Sequence, residues 1–253
     1  MTSNKIQIKL LLLILFTSQN FGEKKSYSNY LRTGLQMTTF LYLEYGIDHH
    51  VNNLNSKSPN NFDRYFRQKL RWKVNNIDKA EIISDLLLYG VFLGSAPLTT
   101  FSNKSKYKET LFLNLEVISI NGIITNLAKM LAKRERPSSY YQTREEGKDS
   151  FRSFFSGHTS MAFAIGTCNS ILLAENYPNK KRFIWGTSTS LALATGYLRI
   201  ASDKHYMTDI IMGAIVGTLV GKLVINSRNN SNIGLNVIPN RNHSMINFNL
   251  MLY

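Results

Sequence analysis

The sequence predicts an all-α protein built as a helical bundle, and three observations lead to this expectation. From about residue 80 onward, apolar segments of helix length follow one another. They are rich in good helix formers and contain no internal proline except Pro97, at the end of the first. The chain has no internal repeat and a single cysteine, Cys168, so neither a solenoid nor an internal disulfide scaffold is expected. The segments cover residues 80–96, 110–131, 159–174, 184–200 and 206–226.

The first 22 residues are typical of a secretory signal peptide. Lys5 and Lys9 precede an apolar run from Leu10 to Phe16, and small and polar residues follow it. This run is shorter than the ~20 apolar residues that span a bilayer, which favours a cleaved signal over an uncleaved anchor. We therefore assign residues 1–22 to a signal peptide, with an N-terminal anchor as the alternative.

Residues 23–79 are polar and rich in asparagine, and we assign them to an N-terminal helical extension. Helical stretches are predicted near residues 31–47 and 62–72, with a loop between them. The adjacent His49 and His50 would point to different faces of any regular element, and no third ligand follows at a suitable spacing. We expect no metal site in the chain.

Residues 80–226 form the predicted helical core, and two periodic patterns indicate how its helices pack. A polar stripe on the second apolar segment should face the interior of the bundle, as should Glu116 in the same segment. A glycine stripe on the last segment allows a neighbouring helix to approach closely. The polar stripe contains Asn114, Asn121, Thr125 and Lys129, and the glycine stripe contains Gly213, Gly217 and Gly221.

The last stretch, residues 227–253, predicts a tail with a small β-hairpin. Asn236–Pro239 and Ile246–Leu252 are short β-like runs, separated by turn-rich residues 239–242. In the second run large apolar residues alternate with Asn247, Asn249 and Met251.

The chain is strongly basic, with 30 Lys and Arg against 16 Asp and Glu and a formal net charge of +14. Such a surface attracts anionic partners such as acidic lipids, nucleic acids or phosphorylated substrates. The basic residues are scattered, and no zinc-finger, RNA-recognition or basic-helix pattern is present. We therefore expect no nucleic-acid partner, which leaves phosphorylated substrates and a membrane surface.

Three clusters of polar residues could carry chemistry, and the first runs from Lys129 to Pro137. Lys129 and Arg136 are seven residues apart, so a continuous helix would place them on one face. Pro137 disfavours helix in the residue before it and predicts a helix end near Arg136. The two cations could clamp a phosphate, or they could simply complement the helix dipole.

The second cluster, Ser153 to Ser160, leads into the third apolar segment. Ser156 and Gly157 precede a predicted helix start, where backbone N–H groups can bind phosphate oxygens. His158 beside them could give a proton to a leaving oxygen. A Ser N-cap followed by a loop histidine would explain the same residues without any function.

The third cluster contains Arg199, His205 and Asp209. His205 and Asp209 are four residues apart and would be neighbours on a helix face. The carboxylate could then hold one imidazole nitrogen as N–H and leave the other as a free nucleophile. Arg199 could bind the same phosphate. The alternative is an ordinary helix pair that stabilises by ~0.5 kcal/mol or less.

Taken together, the clusters resemble the signature of the type 2 phosphatidic acid phosphatase and vanadium haloperoxidase superfamily. That signature reads K-x6-R-P, then P-S-G-H, then S-R-x5-H-x3-D. All spacings and the order are met from Lys129 to Asp209, with two departures. Phe155 stands where the family has Pro and Leu198 where it has Ser, and neither position supplies a charge or the nucleophile.

The resemblance implies a role for each matching residue. His205 would be the nucleophile, Asp209 would orient it, and His158 would protonate the leaving group. Water would then cleave a phosphohistidine, and neither a metal nor a cofactor would be required. The groups that would bind the phosphoryl oxygens are the side chains of Lys129, Arg136 and Arg199 and the backbone N–H groups of Ser156 and Gly157.

We therefore expect a membrane-associated phosphatase that hydrolyses phosphate monoesters or diphosphates, in the first instance of lipids. Its partners would be a phosphorylated lipid or other phosphate ester and a membrane, and the oligomeric state stays open. Export would place it in a bacterial cell envelope, with the site facing the periplasmic or external side. The alternatives are a haloperoxidase with vanadate as cofactor, a soluble exported acid phosphatase of the periplasm, and an inactive envelope protein.

Overall fold

The computed structural model describes residues 27–47, 58–102, 107–229, 234–239 and 244–249. There the chain is a helical bundle, as the sequence predicts. The predicted signal peptide, His49 and His50 lie outside the described residues. The helices are α1 (Tyr27–Leu41), which continues into a π-helical turn (Tyr42–Gly46), α2 (Asn61–Leu70), α3 (Ile77–Ser102), α4 (Tyr107–Ala132), α5 (Pro137–Tyr140), α6 (Gly157–Asn176), α7 (Lys181–Ala201) and α8 (Met207–Asn229). Short 3₁₀ turns lie at Val74–Asn76, Gly147–Asp149 and Pro178–Lys180.

Helix α6 lies at the centre of the bundle. It packs against α8, α7, α3 and α4. The buried apolar core between these helices includes Val117, Ile165 and Val220. Cys168 is buried in the same core and packs there as a small apolar residue. The central position of α6 matters because its first turn carries the second of the three polar clusters.

The polar stripe of α4 faces the interior, as predicted. Asn114 and Asn121 are buried, and Asn121 Oδ1 accepts a hydrogen bond from Ser160 Oγ of α6 at 2.6 Å. Glu116 forms an ion pair with Arg32 of α1 at 2.8 Å. Asn121 and Glu116 thus find polar partners inside an apolar bundle, which is the condition for burying them.

The glycine stripe of α8 packs against α6, also as predicted. A Cβ added at Gly213 would lie 2.8 Å from the carbonyl oxygen of Ser156, and one at Gly221 would lie 2.5 Å from that of Ala164. Gly217, between them, also meets backbone of α6. Any side chain at these positions would collide with backbone, so glycine is what allows the two helices to lie in direct contact.

The first apolar helix differs from the prediction at Pro97. The sequence places this proline at the end of its segment, but α3 continues beyond it. A proline inside a helix removes an N–H donor, and nearby hydroxyl groups can satisfy the backbone around it. Ser95 Oγ donates to the carbonyl oxygen of Val91 at 2.6 Å, and Thr100 Oγ1 donates to that of Ala96 at 2.7 Å.

Three stretches of the described chain are long and apolar enough to cross a membrane: Val74–Ser102, Tyr107–Tyr140 and Met207–Ser227. Two of them expose rows of large apolar side chains. Exposure of such rows to water is unfavourable, whereas contact with lipid is not. These rows contain Ile82, Leu86, Leu98 and Phe101 on α3 and Ile211, Ile215, Leu219 and Leu223 on α8. The fold therefore supports the predicted membrane protein.

The predicted C-terminal hairpin is present. Strand β1 (Gly234–Pro239) pairs antiparallel with β2 (Ser244–Asn249), and Leu235 lies opposite Phe248. The second strand begins two residues before the predicted run, and residues 250–253 lie outside the described part of the chain.

Candidate active site

The N-terminus of α6 forms one wall of the site. Ser156 is the N-cap, and its side chain accepts a hydrogen bond from a first-turn N–H, which the sequence analysis gave as the alternative to a phosphate site. Gly157 and His158 are the first residues of the helix, where N–H groups lack intrahelical acceptors. A Cβ added at Gly157 would lie 3.5 Å from Nζ of Lys129. The ammonium group of Lys129, at the end of α4, therefore lies close to the first residue of α6.

Lys129 and Arg136 reach the site from different pieces of backbone, so the prediction of one helical face is wrong. Helix α4 ends at Ala132, because Lys133 takes the left-handed conformation (φ 43°) that ends many helices. Arg136 is buried and precedes α5 as its N-cap residue. Its Nε donates to the carbonyl oxygen of Asp149 at 2.9 Å, which fixes the guanidinium plane.

His205 lies in the loop between α7 and α8 rather than on a helix, and it is only 2% exposed. Its Nδ1 lies 2.8 Å from the carbonyl oxygen of Ser153. A carbonyl can only accept, so the hydrogen-bond geometry assigns the N–H to Nδ1 and leaves a lone pair on Nε2. Burial, and after it the positive charges of Arg136 and Arg199, lowers the pKa of His205 well below its usual range. The imidazole is therefore neutral at neutral pH.

Asp209 does not bond to His205, so the predicted His–Asp pair is wrong in its geometry. Its Oδ2 lies 3.9 Å from Nδ1 of His205, because His205 precedes α8 whereas Asp209 lies in the first turn of that helix. The same oxygen accepts hydrogen bonds from Ser153 Oγ at 2.6 Å and from the N–H of Tyr206 at 2.9 Å. Asp209 thus fixes Ser153, and the carbonyl of Ser153 in turn orients His205.

His158 is paired with an aspartate that the sequence patterns did not single out. Nε2 of His158 lies 2.8 Å from Oδ1 of Asp85 on α3, and Nη1 of Arg199 lies 3.4 Å from the same oxygen. Burial, followed by the charge of Arg199, lowers the pKa of His158 to about 4. The Asp85 carboxylate acts in the opposite direction, because it favours the protonated imidazole. The one sequence feature that could have indicated Asp85 is the presence of an acidic residue within an apolar helix.

The three clusters converge at one end of the bundle. Arg136, Arg199, Lys129 and His158 all lie close enough to His205 for their charges to act on its imidazole. Arg199 is buried, and within the described residues its Nε has no hydrogen-bond partner. Leaving a buried donor unpaired costs about 1–3 kcal/mol. A phosphoryl oxygen bound beside Arg199 would offset that cost.

One of the two predicted backbone donors is already occupied. The N–H of Ser156 donates to the carbonyl oxygen of Asp209 at 3.1 Å, so it is not available to a phosphate. Ser156 instead joins the starts of α6 and α8. The backbone part of an anion site would therefore begin at Gly157, one residue later than the sequence suggests.

The positive charge around His205 comes from protein side chains. In the described ranges, no group of three or more His, Cys, Asp and Glu side chains is arranged to hold a metal ion. The cations are Lys129, Arg136 and Arg199.

The PAP2 superfamily matches residues 110–233 of the chain, a range that contains all three clusters. The resemblance to this superfamily is therefore confirmed over residues 110–233. Asp85 and helix α2 lie before the matched range. The PAP2 match thus accounts for the cations and histidines at the site but not for every residue in contact with them.

A crystal structure described as the first transmembrane PAP2 type phosphatidylglycerolphosphate phosphatase from Bacillus subtilis has the same fold. It is 21% identical, with a TM-score of 0.53, and the likeness covers 78% of this chain and 96% of that one. A lipid A 1-phosphatase of Porphyromonas gingivalis is 24% identical over 79% of this chain. Lipid phosphate phosphatase 1 of Arabidopsis thaliana is 28% identical over 42% of it. The matches cover 39% and 40% of these two proteins, so the chain spans about two fifths of their length.

Proposed function

We propose that this PAP2 chain hydrolyses phosphate monoesters or diphosphates of lipids through a phosphohistidine on His205. The observation that carries the proposal is the buried, neutral imidazole of His205, whose Nε2 is unprotonated and lies within the field of three cations. The activities named for the relatives, lipid A 1-phosphatase and lipid phosphate phosphatase, support the same reaction class.

In the first step Nε2 of His205 attacks the phosphorus atom. A P–N bond forms, the P–O bond to the lipid breaks, and the leaving oxygen takes a proton from His158. The imidazole becomes positively charged, and the Ser153 carbonyl stabilises it through the Nδ1–H group. Lys129, Arg136 and Arg199 stabilise the charge on the equatorial oxygens of the transferring group.

In the second step water cleaves the P–N bond. His158, now neutral, takes a proton from the attacking water, and His205 leaves as the neutral imidazole that began the cycle. Inorganic phosphate is the second product. The reaction consumes one water, and every proton that His158 gives in the first step returns to it in the second.

His158 becomes protonated when the substrate binds. With its pKa lowered to about 4, His158 is neutral at neutral pH in the substrate-free protein. A bound phosphate adds negative charge beside the imidazole and so raises its pKa toward the range of a general acid. The Asp85 carboxylate, 2.8 Å from Nε2 of His158, also raises the pKa of this imidazole.

We further propose that the site faces the periplasmic or external side of a bacterial envelope. The predicted N-terminal export signal supports this orientation. A lipid substrate is favoured because the site lies at the ends of helices long and apolar enough to cross a bilayer. A lipid could then present its head group to the site while its chains stay in the membrane.

The test is phosphate release from phosphatidate in detergent micelles by the full-length protein. We expect His205→Ala to lower the rate by more than about 10³-fold, whereas Arg182→Gln, an exposed cation at the far end of α7 from Arg199, should retain it. A ³²P-labelled substrate should leave acid-labile label on the protein and none on His205→Ala. Wild-type turnover by His205→Ala would show that the assignment is wrong.

Vanadate separates the phosphatase from the haloperoxidase alternative. Vanadate mimics a transferring phosphoryl group, so we expect it to inhibit phosphate release. The haloperoxidase alternative would be favoured if the vanadate-loaded protein oxidised halide with peroxide and the vanadate-free protein released no phosphate.

A further inference from the structure

Helix α2 buries charges and exposes aromatic side chains, the reverse of an ordinary surface helix. Asp63 is 0% exposed and Arg67, one turn later, is also buried, whereas Phe62 and Tyr65 are 47% and 56% exposed. Burying a charge is unfavourable unless a partner of opposite charge and hydrogen bonds compensate it. The contacts of Asp63 and Arg67 therefore explain why this helix lies where it does.

Asp63 holds the chain just after His205. Its Oδ1 accepts from the N–H of Thr208 at 2.9 Å, and its Oδ2 accepts from Thr208 Oγ1 at 2.9 Å and from Nη2 of Arg134 at 2.6 Å. Nη1 of Arg134 donates to Thr208 Oγ1 at 2.7 Å and to Asp209 Oδ1 at 2.5 Å. Asp63 thus fixes Arg134, and Arg134 fixes the Asp209 carboxylate.

Arg67 holds the chain just before His205. Its Nε and Nη2 donate to the two carboxylate oxygens of Asp203, each at 2.7 Å. The guanidinium carbon also lies 3.6 Å from the centroid of the Tyr141 ring. Asp203 is fully buried with φ at 59°, a conformation that a non-glycine residue keeps only when its surroundings fix it.

We propose that Asp63 and Arg67 are positioning residues that hold the nucleophile loop, residues 202–209, so that Nε2 of His205 faces the phosphorus atom. The proposal rests on the proposed function, because it takes His205 as the nucleophile. Both residues lie before the range matched by the PAP2 family. The continuous hydrogen-bonded path from α2 to the nucleophile runs through Asp63, Arg134, Asp209, Ser153 and His205.

The path predicts a particular kinetic effect. Asp63→Asn keeps the shape of the side chain but removes the charge that pairs with Arg134, so the loop can shift. A displacement of ~1 Å at a reacting atom can cost about 10²-fold in rate. Substrate binding should change little, because the cations around the phosphate belong to α4, α7 and the segment before α5 rather than to α2.

The experiment measures kcat, KM and inhibition by inorganic phosphate for the full-length protein with phosphatidate in micelles. Asp63→Asn and Arg67→Gln should lower kcat about 10- to 100-fold, while KM and the phosphate inhibition constant change less than about threefold. Arg64→Gln is the matched control, because Arg64 lies on the exposed face of the same helix. It should keep the wild-type kcat.

A second readout needs no turnover. In ¹⁵N-histidine NMR, with the His205 signal assigned from its absence in His205→Ala, the wild type should show the Nδ1–H tautomer. Asp63→Asn should mix the two tautomers. If Asp63→Asn fails to fold, Thr208→Val removes one link without leaving a charge unpaired, and it should lower kcat in the same way.

A wild-type kcat and an unchanged tautomer in Asp63→Asn, or a wild-type kcat in Thr208→Val, would overturn the positioning role while leaving the nucleophile in place. Activity of His205→Ala would overturn the proposed function itself, so the two failures are distinguishable. A proportional rise in KM and in the inhibition constant, with kcat unchanged, would mean that α2 acts on binding and would also contradict the proposal.

Discussion

The two histidines of the site have different surroundings, and the difference separates their proposed roles. His205 is buried, and a backbone carbonyl fixes its Nδ1–H. The side chain of His158 is 34% exposed and is paired with the carboxylate of Asp85. A neutral carbonyl orients an imidazole, whereas a carboxylate also favours its protonated form. One residue type can therefore serve as nucleophile in one place and as acid in the other.

The largest effects on kcat should come from replacing the two histidines, and the leaving group of the substrate should distinguish them. An alkoxide leaving group needs a proton, whereas a nitrophenolate does not. His158→Ala should therefore lower kcat by about 10²- to 10⁴-fold with phosphatidate but by much less with p-nitrophenyl phosphate. His205→Ala should be inactive with both. Equal losses for His158→Ala on the two substrates would contradict the assignment of His158 as the acid.

The carboxylate beside His158 gives the next largest effect. Asp85→Asn removes the group that favours protonated His158, so the pKa of that imidazole should fall further. We expect kcat at neutral pH to drop about tenfold, since one pKa unit corresponds to a tenfold change in protonation. The alkaline limb of the kcat–pH profile should move to lower pH. Glu175→Gln, an exposed carboxylate at the end of α6, is the control.

Removing a hydroxyl beside His205 should have a smaller effect. Ser153→Ala loses the hydrogen bond to Asp209 but keeps the carbonyl that orients the imidazole. One neutral donor to a charged acceptor contributes about 1.5–3 kcal/mol, part of which appears as stability. We expect a loss of several-fold in kcat with KM unchanged, measured with phosphatidate. A loss as large as that of His205→Ala would mean that the hydroxyl itself takes part in the chemistry.

The pH dependence of stability gives the smallest effect. The pKa values of both histidines are lowered in the folded protein, so below about pH 6.5 the unfolded chain takes up protons that the folded site does not. The thermal midpoint in detergent should therefore fall as the pH decreases from 6.5 toward 4. The double variant His158→Ala, His205→Ala should show a shallower fall. An unchanged slope would place the acid sensitivity elsewhere.

The sequence predicted the apolar helices, both interior stripes and the polar groups that meet at the site, because helical periodicity and short motif spacings are local properties. It did not predict that Asp209 acts on His205 through Ser153, because a pattern of side chains does not reveal a hydrogen bond to a backbone carbonyl. Asp85 and Asp63 were missed for another reason. They contact His158 and Arg134 across 73 and 71 residues, and the one local signal, for Asp85 alone, was its position within an apolar helix.

The close contact at Gly213 implies that the same substitution should have different effects at different positions along α8. A methyl group at Gly213 would press on the carbonyl of Ser156, so it would separate the helix start that carries His158 from the one that follows His205. The same methyl group at Gly221 would press on Ala164, two turns deeper in the bundle and away from any reacting atom. Gly213→Ala should therefore lower turnover, whereas Gly221→Ala should lower only the thermal stability of the protein.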